Sequence, residues 1–505
     1  MSEKSKPKGH AVLSGGCPFH RGTQVGPLPT RPVGNKVNVA RNTVRRPTRF
    51  SGYPLGSDNG TDNGPTVTDF TRMFPSLPAS VFDEDDIRSL TTPGGPMDEL
   101  NAGSAPQDNP SIPAGFTFLG QFLDHDMTFD VYSNINQVGT DPDQTRNALT
   151  PTLDLGNVYG RGPVLDAFLY KKDGATLVYG TTQNPNYDVC RNPVGTAIIG
   201  DPRNDDNLFV SQIELAFIKF HNQVVKDLSG QYSGPDLFDA ASQLVRWHYQ
   251  WIVYYDFLPR FIGQSLFDKL VANGPQYYTQ TSLEIPVEFS AAAYRMGHST
   301  VRQTYRVNVE ITQQQVFDAH MPGTFLPPGN RIDWRYFFNT DPNTQPQSCK
   351  LFDTFLASEL LALPSAAIPG YEGFTNPGTQ QPDPLYLSLA GRNLLRHNEY
   401  NLPAGQTIAK ALGETQYTNS QLGLPPSWNS DVAPLWYYIL KEARLANQGR
   451  FLGPVGGRIV GEVFFGILLN DPSSFLHNAG WKPTYGSNGS FTMADLLKIS
   501  DAYTP

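Results

Sequence analysis

Three residues on one helical turn carry the clearest chemistry in this chain. In Gly115 to Asp130, GFTFLGQFLDHDMTFD, the residues Gln121, Asp124 and His125 stand at i, i+3 and i+4 and share a helical face. That face offers an imidazole whose unperturbed pKa lies near neutrality, a carboxylate and an amide, among Phe116, Phe118, Phe122 and Phe129. Such a set suits acid–base catalysis on a bound substrate. Asp126 lies one step of about 100° further round the helix and faces elsewhere, as a hard oxygen of the kind calcium takes. Further along, Thr150, Thr152 and Asp154 alternate, so an extended loop could present oxygens at every second residue. An ordinary Asx-rich turn is the competing reading of that loop taken alone.

Two further stretches hold residues able to bind a group. In VEFSAAAYRMGHSTVRQTYRV, Val287 to Val307, the small residues Ala291 to Ala293 and Gly297 let a flat macrocycle approach the backbone, and His298 follows with an imidazole free to reach iron. In SLAGRNLLRHNEYNLPAGQ, Asn393 and Arg396 are one turn apart and share a face. Arg203 lies in AIIGDPRNDDN, the loop that launches a strongly helical stretch from Leu208 to Leu228, and Asp206 follows three residues later. His221, embedded in that stretch, reads as structural.

The elements that must position these residues are mostly helices. Asp83 to Asp86 can cap a short helix around Ile87 to Leu90. A long amphipathic stretch from Phe238 to Gly263 is expected to end at Pro259, with Trp247, Trp251, Tyr254 and Tyr255 in the core. Trp436 to Leu445 and Arg458 to Leu469 are expected as closing helices. With 505 residues the chain can bury a large core, and no second linker is evident after residue 50. The expected organisation is a basic, Pro/Gly-rich arm over residues 1–50 and one catalytic domain over 51–505.

Charge and cysteine usage narrow the class. The first fifty residues carry ten Lys or Arg against one Glu, on a chain whose net charge is −9. With aromatics sparse there, the arm is expected to pack on its own acidic body or a second subunit rather than on nucleic acid. Three cysteines, Cys17, Cys190 and Cys349, cannot build a disulfide framework in a chain this size. No apolar run is long enough for a membrane span, and the N-terminus has no apolar signal core. A cytoplasmic location is expected, with non-classical export left open.

GQFLDHDMTFD resembles the distal haem helix of the animal-type haem peroxidases, in the peroxidase–cyclooxygenase superfamily. GDPR, FHNQVV, YDFLPRFIG, AYRMGHS and the Asn393 segment are similar to the same family at separated places between Phe70 and Leu469. The resemblance implies a mainly α fold, a single large helical domain with haem between distal and proximal helices, plus an irregular N-terminal arm. It implies a haem peroxidase that reduces hydrogen peroxide to water and oxidises halide, pseudohalide or small phenolic donors. Within it His298 would be the axial ligand, Asn393 would accept the proton of its other ring nitrogen, and Arg295 and Arg396 would lie by the haem. His125 and Arg203 would act on peroxide from above, with Gln121 orienting water or an anion. Asp124, and less readily Asp206, would form ester bonds to haem b. Calcium would bind between Asp126, Thr150, the Thr152 carbonyl and Asp154.

Three departures stand out against that family. Gly156 occupies a position where a hydroxyl ligand is usual, and Asn398 to Asn401 replace the family's RDHG. Tyr294 is four residues before His298, whereas the oxygenases of the superfamily place their radical tyrosine three before. Arg295 holds that third position, as in peroxidases, which sets a cyclooxygenase-like fatty-acid dioxygenase second as the alternative enzyme, with a non-catalytic haem-binding interaction protein the alternative from another class.

Overall fold

The computed structural model describes residues 68–104, 107–129, 146–147, 149, 151–279, 283–317, 322–327, 329–364 and 383–500, with a two-residue strand pair at 32–33 and 36–37. Apart from that pair, the expectations for the basic arm lie outside the described residues, as does Thr150.

Helix α1, Glu84–Thr91, begins where Asp83 accepts the amide of Asp85, with three acidic residues in its first turn. Helix α2, Gly115–Met127, is buried nearly all round, which its Phe and Leu content permits. Its exit is pinned by Asn147, which accepts from the Phe129 amide and donates to the Met127 carbonyl, both at 2.8 Å. Helix α3 spans Leu208–Leu228, and Asn207 caps it by accepting the amides of Phe209 and Val210.

Helix α4, Pro235–Trp251, runs into a wide π turn, Ile252–Phe257, and then a short helical segment, Leu258–Ile262. Pro259 does not end this helix as expected: it sits at the start of the last segment, where a missing N–H is tolerated, and Gly263 at φ +80° ends it. The extra residue of the π turn also shifts the helical phase. Trp247, Trp251 and Tyr254 are buried as expected, but Tyr255 turns outward and is 47% exposed.

The AYRMGHS segment is not a regular α-helix. A second π turn, Glu288–Ala292, leads into a 3₁₀ coil, Ala293–Thr300. Three residues per turn superimposes i and i+3, so Arg295 and His298 come to one side. Helix α5, Leu389–Glu399, is capped by Ser388; helices α6, Leu435–Asn447, and α7, Pro454–Asn470, close the domain. Glu442 of α6 accepts the amides of Val455 and Gly456 at the start of α7, a carboxyl in place of the missing helical acceptors.

Aromatic pairs lock α2 to its neighbours. Phe118 stacks on Phe209 at 4.3 Å and Phe122 on Phe217 at 4.8 Å, while Tyr249 of α4 meets Phe217 edge-on at 5.5 Å. Each such pair contributes about 0.5–1.5 kcal/mol beyond its burial. Strands are few and short: Thr68–Thr71 runs parallel to Ile285–Pro286 and antiparallel to Arg146–Asn147, and Asp108–Pro113 pairs with Ser348–Lys350. The fold is mainly α, as the sequence predicts. Among the described residues no helix is long and apolar enough to cross a membrane.

Candidate active site

Between α2 and the 293–300 coil lies a cavity of about 1250 Å³ of atom-free space, part of it open to solvent. Gln121, Asp124 and His125 of α2 line it together with Asp206, as do Arg295, Gly297 and His298 of the coil. Helix and coil are tied by the hydroxyls of Thr117 and Thr300, 2.8 Å apart. The i, i+3, i+4 face of α2 thus opens on the space that the AYRMGHS segment bounds.

On the α2 wall every polar side chain has a fixed partner. Gln121 Oε1 accepts from Nδ2 of Asn207, the cap of α3, at 3.0 Å. Asp124 Oδ1 accepts from the Thr128 hydroxyl at 2.9 Å. His125 is buried, with Nδ1 2.8 Å from Asn204 Oδ1 and Nε2 4.0 Å from Asp206. Burial, aided by the positive charge of Arg203, lowers its pKa to about 4, so the ring is neutral at neutral pH. Asp206 opens into the cavity with 44% of its side chain accessible, yet its depth in the protein pushes its pKa up to about 8.

In the coil, Nδ1 of His298 lies 2.8 Å from the Asn393 amide, with Nδ2 the nearer atom and Oδ1 buried without a hydrogen-bond partner. Rotating the amide exchanges its two ends. With Oδ1 facing the ring, Nδ1–H donates and Nε2 is left bare for a metal. Burial lowers the His298 pKa to about 3. Arg295 donates to the Ser290 carbonyl at 3.0 Å and still lines the cavity. A Cβ added at Gly297 would meet nothing within 4 Å, so the wall beside His298 is flat by choice of residue. A neutral imidazole, a flat wall and flanking cationic and carboxylate groups fit a planar, anionic iron macrocycle.

Arg203 is not placed as expected. It does not line the cavity: its guanidinium pairs with Asp201 at 2.7 Å, donates to the carbonyls of Thr128 and His125 at 2.7 and 3.0 Å, and covers the Phe129 ring. Asp201, the cap of the tight, Pro-led turn Pro202–Asp205, lies two residues back and meets the guanidinium at close range. Arg396 likewise pairs with Glu399 at 3.1 Å and does not line the cavity. Asp205, the sequence neighbour that competes with Asp206, is buried in an ion pair with Arg191, leaving Asp206 to the cavity.

Asp126 faces away from the cavity, accepting from the Leu155 amide and the Tyr249 hydroxyl at 3.1 Å. Asp154 accepts from the Thr152 hydroxyl and the Gly156 amide, and its carbonyl takes Nε of buried Arg246 at 2.8 Å. Buried carboxylate, hydroxyl and carbonyl oxygens on this side of α2 are the donor type that a hard divalent cation takes. Among the described residues no group of three His, Cys, Asp or Glu assembles, so hydroxyl and carbonyl oxygens would have to complete the shell. His221 is structural, bonded to the Tyr159 hydroxyl and the Ala175 carbonyl. Sequence reasoning missed Asn204, Asn207, Asp201 and Glu214; only Asn207 had a signal, an Asn directly before a helix.

The fold is shared with solved structures. Among solved structures it is similar to peroxidase A from Dictyostelium discoideum, with TM-score 0.58, 17% identity, and 86% of this chain and 93% of that one covered. It is also similar to the fatty acid alpha-dioxygenase of Oryza sativa, with TM-score 0.53, 14% identity, and 84% and 80% covered. The family model described as animal haem peroxidase matches residues 131–360. The chain is similar to peroxidase mlt-7 of Caenorhabditis elegans, 26% identical over 33% of this chain and 24% of the relative. Human thyroid peroxidase is 24% identical over 37% of this chain and 22% of its own length. The matched segments thus span about a quarter of these curated relatives or less.

Arg203→Ala would strand the Asp201 carboxylate and two backbone carbonyls at the end of α2. Breaking a buried pair in this way costs about 3–5 kcal/mol. Urea unfolding should read a loss of that size; a loss below about 1 kcal/mol, the range of exposed pairs, would mean the contact is not formed in solution.

Proposed function

We propose that this protein is a haem peroxidase that reduces hydrogen peroxide to water and oxidises a small donor, a halide, pseudohalide or phenol. The observation that carries the reading is that His125, from α2, and His298, from the 293–300 coil, line one cavity. Bound haem would supply the redox chemistry of its iron. His298 would hold it through Nε2, with Asn393 turned so that Oδ1 accepts from Nδ1–H. Arg295 would offer its charge to a carboxylate at the edge of the group.

His125, neutral and bare at Nε2, would take the proton of peroxide's nearer oxygen and hand it to the farther one, which leaves as water. Gln121, held by Asn207, would orient water or an anion beside it. Arg203 acts here as a positioning residue: its charge sits on the carbonyl end of α2 and fixes the turn that carries His125. Fatty-acid dioxygenation is the competing reading, favoured by Tyr294 on the cavity wall. Against it, the Tyr294 hydroxyl is directed to the Gly120 carbonyl of α2 at 3.2 Å.

His298→Ala should lose haem, read by the Soret band, whereas His125→Ala should keep it and lose peroxide turnover at least about a hundredfold, the usual contribution of a positioned base. Turnover of fatty acid but not of halide or phenol by the unmodified protein would replace this reading with the dioxygenase.

Asp124 and Asp206 both reach the cavity, and ester bonds to haem methyl groups are proposed first at Asp124, which the helix holds in place. After peroxide treatment, acid–acetone should fail to extract part of the haem, and Asp124→Ala should release it. Full extraction from the unmodified protein would remove both bonds.

A calcium ion is proposed between Asp126, Thr150, Thr152 and Asp154, more hydrated than a site with a hydroxyl at position 156. Metal analysis should find one calcium per chain, lost in Asp126→Ala. Its absence from unmodified protein purified without chelator would leave Arg246 as the local counter-charge.

A further inference from the structure

We propose that Asn204 is the positioning residue that sets the tautomer of His125, oriented for that task by Glu214. The proposal deepens the reading of His125 as the proton acceptor and rests on it. Asn204 and Glu214 are both fully buried. Asn204 Oδ1 is 2.8 Å from His125 Nδ1, and Asn204 Nδ2 is 2.8 Å from Glu214 Oε2. Glu214 Oε1 is buried without a hydrogen-bond partner, so Asn204 is the one hydrogen-bonding partner of that carboxyl group among the described residues.

An amide has one donating end and one accepting end, so the end that Glu214 takes fixes the end left for the ring. With Nδ2 donating to Glu214, Oδ1 is the end that faces the ring, and Nδ1 must carry the hydrogen. Nε2 then presents its lone pair toward Asp206 and the cavity, the form a base requires. The reversed amide would put an N–H against Nδ1, drive the hydrogen to Nε2, and leave the ring without a lone pair on the cavity side. A neutral imidazole carries a single hydrogen, on one nitrogen or the other.

The neighbouring residues on this turn divide the work. Arg203 grips the carbonyl of His125 at 3.0 Å, and Asn204 grips its ring. Main chain and side chain of the base are thus held from one short segment, with Glu214, near the start of α3, as the anchor behind it.

The test reads the tautomer itself. Protein labelled with ¹⁵N-histidine and loaded with zinc protoporphyrin, which is diamagnetic, is recorded in a long-range ¹H–¹⁵N correlation, with His125→Ala identifying the resonance. The unmodified protein should show His125 protonated at Nδ1. Asn204→Leu, similar in volume but without an acceptor, should show hydrogen on Nε2 in at least half the molecules. In its iron-haem form it should consume peroxide at least tenfold more slowly at unchanged haem content. Asn204→Asp, which keeps an acceptor facing the ring, should retain the Nδ1–H form. Hydrogen on Nε2 in the unmodified protein, an unchanged Nδ1–H form in Asn204→Leu, or its loss in Asn204→Asp would each overturn the proposal. If the tautomers behave as expected but the unmodified iron-haem protein consumes no peroxide, the peroxidase reading fails and the positioning role of Asn204 stands.

Discussion

The structure depends on the grip that Arg203 keeps on the open end of α2. A helix leaves its last carbonyls without partners, and a buried end must find donors for them. Here two are taken by a guanidinium whose own charge is balanced by Asp201. The arrangement joins a chain segment near residue 128 to one near residue 203, and it does so at the turn from which His125 projects. Asn147 seals the same exit from the other side through the Met127 carbonyl and Phe129 amide. The polar wall of the cavity therefore rests on a helix whose end has little freedom to fray.

That wall was legible in the sequence where its cause is local. The face shared by Gln121, Asp124 and His125 follows from helical spacing alone, and α3 begins and ends where its apolar period does, from Leu208 to Leu228. The family resemblance brought His298 and Asn393 together across 95 residues, and they meet at 2.8 Å. What could not be read depends on contacts between segments. Nothing in GDPRNDDN says that Arg203 turns back on Asp201, or that of two adjacent aspartates the first pairs with Arg191 and the second opens to the cavity. Asn204 and Glu214 are ten residues apart, on a tight turn and a helix, a spacing with no regular period behind it. Tyr255 was misjudged because a π turn cannot be seen in a 3.6-residue pattern, and it rotates the residues that follow Trp251.

The turn that carries Arg203 and Asn204 has a third occupant with a different reach. Asp205 pairs with Arg191, which also holds Asp188, and both carboxylates accept main-chain amides from the loop beyond the cavity rim, Gly323 at 2.9 Å and Leu326 at 3.1 Å. Pro322, next to the first of these, lines the cavity. One tight turn thus carries both the residue that holds the imidazole of His125 and the residue that holds a stretch of the cavity lining. The two share a single mount, so a displacement of the chain at Gly323 is passed to the turn on which the ring leans.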